Sequence, residues 1–189
     1  MVAIFPRAGL ADQQGTSMIE VLITIVILSI GLLGLAGLQS RLQASEMESY
    51  QRAQALILLN DMASRIATNR THISDYVVDP ASPLGDGDCP GGTTQQQVDA
   101  TEWCEALKGA AETSGAGSVG AMVGGRGCVE SLGSNEYLVT VAWQGLTPIS
   151  APPANVACGQ GSYDGGTACV NDLCRRTVTT LVRIGNLSP

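Results

Sequence analysis

Basic and imidazole side chains are scarce in this 189-residue chain, and that scarcity excludes several functions. Lysine and arginine together number 10 against 17 acidic residues, which gives a net charge of −7 at pH 7. Because nucleic-acid binding needs clustered basic residues that neutralise phosphates, we expect no nucleic-acid partner. The single histidine, His72, excludes a metal site built from several imidazoles. We predict neither a metal centre nor a cofactor.

Aromatic residues make up only 4% of the chain, although 44% of its residues are apolar. Much of the apolar share lies in residues 21–38, which read VLITIVILSIGLLGLAGL and carry no charge. At about 1.5 Å per residue, a helix of this length spans roughly 27 Å, close to the hydrocarbon thickness of a bilayer. In lipid a helix satisfies its own backbone groups. We therefore predict a membrane-inserting helix over about residues 19–38.

The apolar helix is predicted to continue well beyond the membrane segment. Residues 39–70 contain no glycine or proline, so one helix is expected from Ser17 to about Thr68. Apolar residues recur at three- and four-residue steps in its second half and are expected to face a core. The residues of this stripe are Ala53, Leu56, Leu59, Ala63 and Ile66. The composition changes near Thr71, where a domain boundary is predicted.

Three later segments alternate their residues with the two-residue period of a strand. They cover residues 127–132, 136–143 (EYLVTVAW) and 177–184 (TVTTLVRI), and the tripeptide GSN joins the first two as a hairpin. An antiparallel sheet of these strands, packed on the long helix, gives an α+β fold. The stretches rich in glycine and proline are predicted to be loops, at residues 80–94, 115–127 and 146–166.

Six cysteines lie beyond the apolar segment, mostly in the predicted loops. They are Cys89, Cys104, Cys128, Cys158, Cys169 and Cys174. An even number in such positions predicts disulfides formed in an oxidising compartment. Zinc is the alternative, but no two cysteines have the C-x-x-C spacing and no histidine lies near them. Six cysteines allow many pairings, and the sequence does not select one.

Glu20 stands directly before the apolar run, which itself carries no charge. One interpretation is a capping box, in which Ser17 and Glu20 satisfy each other's backbone amides. A second hypothesis is cleavage after Gly15, which leaves a protonated amine on Thr16 one turn from Glu20. In a helix bundle of low dielectric constant, Glu20 of one subunit would neutralise the amine of its neighbour and set the axial register.

This arrangement of Gly15, Glu20 and an apolar helix resembles the class III signal of type IV pilins and related pseudopilins. The stretch MIEVLITIVILSIGLLGLAGLQ is similar to the minor pilins called type IV pilus modification proteins, the PilV type. The resemblance implies that a prepilin peptidase cuts after Gly15 and that the same enzyme N-methylates Thr16, where most members have Phe. It also implies that Glu20 aligns the subunit during assembly.

The resemblance further implies a pilin-like, non-enzymatic subunit that primes type IV pilus assembly in a tip complex. The implied partners are the prepilin peptidase, the major pilin, other minor pilins and a tip adhesin. The chain would lie in the inner membrane as a single-pass protein with a periplasmic head, and in the pilus at the cell surface after assembly. The corresponding divisions are a leader at residues 1–15, the long helix at 16–70 and the head domain at 71–189.

Three other functions stay open from the sequence. A pseudopilin of a type II secretion system has the same N-terminal features. An ordinary secreted protein would use the small-x-small triplet at residues 34–36, and its mature chain would begin at Gly37. A membrane-anchored enzyme would depend on His72, without any catalytic motif. Acidic turns at residues 86–88 and 164–172 suggest Ca²⁺, but they lack the ligand spacing of an EF-hand.

Overall fold

The computed structural model describes residues 17–110, 113–114, 117–118 and 122–185. Within those residues, two α-helices and a 3₁₀ helix precede five β-strands. The helices are α1 (Met18–Thr68), the 3₁₀ helix (Arg70–Tyr76) and α2 (Gln95–Leu107). The strands are β1 (Thr113–Ser114), β2 (Gly117–Ser118), β3 (Arg126–Gly133), β4 (Glu136–Gln144) and β5 (Arg175–Arg183). The chain divides into two compact units, Met1–Gln43 and Ala44–Pro189, and α1 contributes to both.

The described part of the first unit is the apolar beginning of α1. Residues 18–43 all expose their side chains, and an 18-residue window of α1 has a mean hydropathy of 2.7 with none of it buried. By length and composition this part of α1 is sufficient to cross a membrane. The predicted unbroken helix is confirmed, because α1 runs from Met18 to Thr68.

In the second unit, α1 buries one stripe of side chains. Its buried members are Gln51, Ala55, Leu59, Met62 and Ile66. Only Leu59 and Ile66 belong to the predicted stripe, whereas Ala53 and Leu56 are exposed. The predicted stripe was wrong because its residues are spaced by fewer than the roughly 3.6 residues of a helical turn on average. Some of its members therefore lie outside the buried side of the helix. It also left out Gln51, a polar residue that the fold buries.

The three predicted strands form an antiparallel sheet in the order β3–β4–β5. Val139 in the middle of β4 pairs with Val129 of β3 and with Thr180 of β5. Ser134 and Asn135 form the turn between β3 and β4, and both have the positive φ values, 50° and 61°, that a type I′ turn requires. The predicted α+β class, a long helix packed on a small antiparallel sheet, is confirmed.

Alternate residues of β4 face opposite sides of the sheet. On one side, four residues of β4 lie in the core with the buried stripe of α1: Tyr137, Val139, Val141 and Trp143. On the other side, a second buried cluster consists of Cys128, Ala142, Cys158 and Tyr163. The helix therefore covers one face of the sheet, and the long loop between β4 and β5 covers part of the other.

Helix α2 is absent from the sequence prediction because its residues, QQQVDATEWCEAL, are mostly polar. Thr94 and Gln97 form a capping box at its start, in which each side chain accepts the backbone N–H of the other residue. Trp103 is fully buried, and its Nε1 donates to the carbonyl of Leu58 in α1 at 2.9 Å. A buried indole whose N–H is satisfied in this way holds α2 against α1.

Three disulfides connect the loops to the secondary structure. The pairs are Cys89–Cys104, Cys128–Cys158 and Cys169–Cys174. The first holds the loop before α2 to that helix, the second joins β3 to the loop after β4, and the third closes a short loop before β5. All six cysteines are paired, which overturns zinc as their alternative role and confirms the disulfide-bonded loops.

Two of the three predicted loops, residues 80–94 and 146–166, are fully described and contain turns and isolated bridges. The prediction of a loop over residues 115–127 was wrong in part. Strand β2 lies inside that stretch and β3 already begins at Arg126. Gly127, the last residue of that stretch, is a strand residue, as the predicted strand over residues 127–132 has it, and its missing side chain leaves room for Trp103.

Candidate functional site

The start of α1 places the predicted assembly residue, Glu20, in the first helical turn. Glu20 is exposed, and its backbone N–H donates to the Ser17 carbonyl at 3.0 Å. A carboxylate in the first turn interacts favourably with the partial positive charge of a helix N-terminus. The predicted cleavage and methylation positions, Gly15 and Thr16, lie outside the described residues.

The apolar run that follows Glu20 contains two hydroxyl side chains, and both are bonded within the helix. Thr24 Oγ1 donates to the carbonyl of Val21 at 2.8 Å, and Ser29 Oγ donates to the carbonyl of Ile25 at 2.7 Å. A hydroxyl without a partner is costly in an apolar surrounding, and this pattern removes that cost. The carboxylate of Glu20 is the remaining polar side chain of residues 18–38.

A buried carboxylate of α2, Asp99, joins the three helical segments of the second unit. It accepts hydrogen bonds from Arg65 of α1 at 2.9 Å, from Gln95 at 2.9 Å and from the Tyr76 hydroxyl of the 3₁₀ helix. Burial alone would raise the pKa of Asp99, but the bonds from Tyr76, Gln95 and Arg65 outweigh burial and lower that pKa. Asp99 is therefore ionised at neutral pH and binds α1 to α2.

Tyr76 completes this cluster as a hydrogen-bond donor. Burial, and then its bond to Asp99, raises the pKa of the Tyr76 hydroxyl above its ordinary value. The sequence analysis missed the cluster because Arg65 and Asp99 lie 34 residues apart and belong to different helices. The one local feature was an arginine, Arg65, in the last turn of the predicted helix. An arginine there more often interacts with the partial negative charge of the helix C-terminus.

A second ion pair binds α1 to the beginning of β5. Arg176 Nε lies 2.6 Å from Glu48 Oε1, and the same guanidinium donates to the Thr147 carbonyl at 2.6 Å. Only a tenth of the Arg176 side chain is exposed (10%), against 31% of the Glu48 side chain, so the arginine end of this contact is shielded from solvent. The second half of α1 is thus held in the head by charge as well as by its apolar stripe.

The residues on which enzymatic or metal functions would depend have different surroundings in the fold. His72 is exposed within the 3₁₀ helix. Asp86 pairs with Arg126 at 2.9 Å, and Asp172 pairs with Arg175 at 3.2 Å. Across the part of the chain that the structure describes, no group of three or more His, Cys, Asp or Glu side chains is placed to hold a metal ion.

Comparison with known families points to the same N-terminal segment. A family model described as the prokaryotic N-terminal methylation motif matches residues 10–36, which include Glu20 and most of the apolar run. No curated protein and no solved structure matches the chain. The match supports the type IV pilin-like and pseudopilin family, fits membrane anchoring by α1, and implies processing by a prepilin peptidase.

Proposed function

We propose that this chain is a minor pilin of the PilV type, a non-enzymatic subunit that primes type IV pilus assembly in a tip complex. One observation carries the proposal: a lone carboxylate, Glu20, begins an exposed apolar helix inside the segment that matches the methylation motif. The three disulfides of the second unit support it, because such bonds persist in the oxidising periplasm and outside the cell.

Processing is the first step of the proposed function. The prepilin peptidase cuts after Gly15, removes the leader at residues 1–15 and methylates the new amine of Thr16. This amine is protonated at neutral pH, so the mature chain begins with a cation close to Glu20. The mature chain then consists of the long helix at residues 16–70 and the head domain at residues 71–189.

Assembly depends on pairing between subunits. Glu20 of one subunit neutralises the Thr16 amine of its neighbour, because either charge alone is costly among apolar helices. The hydroxyls of Thr24 and Ser29 already donate hydrogen bonds within the helix, so they do not need a partner from a neighbouring subunit. The Glu20–amine pair therefore sets the axial register of the subunits.

The proposed locations follow from this sequence of steps. Before assembly the chain is a single-pass protein of the inner membrane with its head in the periplasm, and afterwards it lies in the pilus at the cell surface. Its partners there are other minor pilins, the major pilin and a tip adhesin.

Replacing Glu20 tests the assembly step. Glu20→Ala should leave cleavage intact, so the mature chain begins at Thr16, while the amount of the chain in sheared pili falls at least severalfold. Glu46→Ala is the matched control, because Glu46 is an exposed carboxylate of the same helix beyond the apolar run. Normal incorporation of the Glu20 variant would contradict the pairing mechanism.

Two further measurements separate the remaining functions. The mass of the mature N-terminal peptide should correspond to a methylated Thr16, whereas a chain beginning at Gly37 would identify an ordinary secreted protein. Deletion of the gene should reduce piliation and leave protein secretion unchanged. The reverse result would identify a pseudopilin of a type II secretion system.

A further inference from the structure

The fold covers one edge of the β3–β4–β5 sheet. Val78 exchanges backbone hydrogen bonds with Val129 of β3 at 2.9 and 3.2 Å. Leu84 exchanges them with Gly127 at 3.0 and 2.9 Å. The segment before α2 therefore satisfies the outer edge of β3, as proteins commonly do to prevent pairing with other chains.

Among the described residues, none covers the opposite edge, along β5, in this way. Gly145 N–H donates to the Cys174 carbonyl at 2.8 Å, and Ile184 N–H donates to the Asn135 carbonyl at 3.0 Å. In an antiparallel ladder, every second residue directs its backbone N–H and C=O groups towards the neighbouring strand. Since Cys174 and Ile184 make these bonds, the even-numbered residues of β5 direct their backbone groups towards β4. The backbone groups of Thr177, Thr179, Leu181 and Arg183 then point away from the sheet, and no described residue bonds to them through its backbone.

The residues along this open edge are well suited to pair with another strand. Their side chains lie on the face of the sheet opposite to α1, where Thr179 is exposed and Leu181 is 43% exposed. Residues 177–182 read TVTTLV and contain no proline and no charged residue, which are the residues that usually protect an edge. The same residue types have high strand propensity. Both the backbone groups and the side chains of this edge are therefore suited to pairing with a further strand.

Charge decides which kind of strand fits. Strand β5 contains three arginines and no acidic residue, but Arg175 and Arg176 are buried and paired with carboxylates of the same chain, so Arg183 is the exposed cation of this strand. If β5 paired with a second copy of itself about Thr179, Arg183 would stand opposite Arg175, which is buried and paired with Asp172, so the second strand would offer Arg183 no carboxylate. The Arg183 side chain is 71% exposed, and the contact that it makes with the described residues is from Nε to Glu136 at 2.7 Å. A guanidinium has further donors with which it can bind a carboxylate of a partner.

We propose that the outer edge of β5 binds an extended acidic segment of a partner protein as an additional antiparallel strand. A carboxylate of the partner stands opposite Arg183, and an apolar side chain packs beside Leu181. Backbone hydrogen bonds to Thr177, Thr179 and Leu181 provide most of the affinity, as in other complexes formed by strand addition. This interaction goes beyond the proposed filament role and does not depend on it.

A synthetic peptide tests the proposal on the full chain in detergent micelles. The probe is acetyl-Glu-Thr-Val-Thr-Val-Thr-Thr-amide, and a second peptide carries Lys in place of Glu. Residue-resolved amide exchange should slow at least tenfold at Thr177, Thr179 and Leu181 with the acidic peptide. The Lys peptide should bind severalfold more weakly. Unchanged exchange with the acidic peptide, or equal binding of the two peptides, would overturn the proposal.

Two variants locate the binding edge. Thr179→Pro removes one outward N–H without removing a bond to β4, so it should abolish the protection, while Thr179→Val should retain it. Arg183→Glu should reverse the preference between the two peptides, which provides a test independent of the proline variant. Protection that grows with chain concentration in the absence of peptide would identify a second copy as the occupant and would refute the acidic partner.

Discussion

Replacing Asp99 by asparagine removes one charge from the buried cluster and leaves its shape almost unchanged. In the native chain Asp99 is 4% exposed and accepts bonds from Arg65, Gln95 and Tyr76. Breaking a buried ion pair from one side costs about 3–5 kcal/mol. Arg65 keeps Glu102 at 2.7 Å and Asp61 at 2.9 Å, and its side chain is 24% exposed. We therefore expect Asp99→Asn to lower the free energy of unfolding by about 2–3 kcal/mol.

Urea unfolding of the full chain in detergent measures this loss through tryptophan fluorescence. Both tryptophans of the chain, Trp103 and Trp143, are buried in the head and report on its unfolding. Asp88→Asn is the control, because Asp88 is an exposed carboxylate outside the cluster. A loss below about 0.5 kcal/mol, the size typical of surface substitutions, would refute the assigned role of Asp99.

The pH dependence of stability supplies a second check on the same residue. The pKa of Asp99 is lower in the folded chain than in the unfolded chain, so its contribution is fully present above its unfolded pKa, about 3.9. That contribution is lost as the pH falls through the lower, folded pKa. The difference in stability between the native chain and Asp99→Asn should therefore shrink below about pH 4. A difference that stays constant down to pH 2 would contradict this reasoning.

Two further predictions concern the packing and the cross-links of the head. In Gly127→Ala the new Cβ would lie 2.3 Å from Cη2 of the fully buried Trp103, so we expect a loss of about 1–3 kcal/mol in urea unfolding. Gly91→Ala, where nothing lies within 4 Å, should change little, and equal effects of the two variants would refute the packing argument. Replacing Cys128 and Cys158 together by serine should cost about 3–4 kcal/mol, because they lie 30 residues apart, against about 2 kcal/mol for Cys169 and Cys174, which lie 5 apart. Thermal unfolding of the two double variants measures that order, and a reversed order would contradict the loop-entropy account.

The parts of the fold that could be predicted are those that depend on local patterns in the sequence. An uninterrupted run without glycine or proline predicts α1 in its second half, and two-residue alternation predicts β4 and β5 within one or two residues of their ends. The position of Glu20 before the apolar run is equally local. The roles of Gly15 and Thr16 stay predictions, because they concern a cleavage that only chemistry on the mature chain reveals.

The remainder depends on contacts between distant segments. Helix α2 has few apolar residues, and it is stable because Trp103 reaches α1 and because Cys104 is bonded to Cys89. Gln51 is buried although it is polar, which no pattern of hydrophobic residues indicates. The disulfide pairing likewise depends on which loops the sheet brings together. The edge of β5 with which no described strand pairs is identified only once the partners of the strands are known.

The self-bonded hydroxyls of Thr24 and Ser29 have a consequence for how the apolar part of α1 can move between surroundings. A segment whose polar side chains are already hydrogen-bonded within the helix can move from lipid to an apolar protein interior without breaking a hydrogen bond at those positions. The energetic difference between the two environments then rests almost entirely on one carboxyl group at its end, that of Glu20. Under the proposed assembly step, the bilayer retains such a segment while it is alone, and the segment leaves the bilayer when a neighbour supplies the opposite charge.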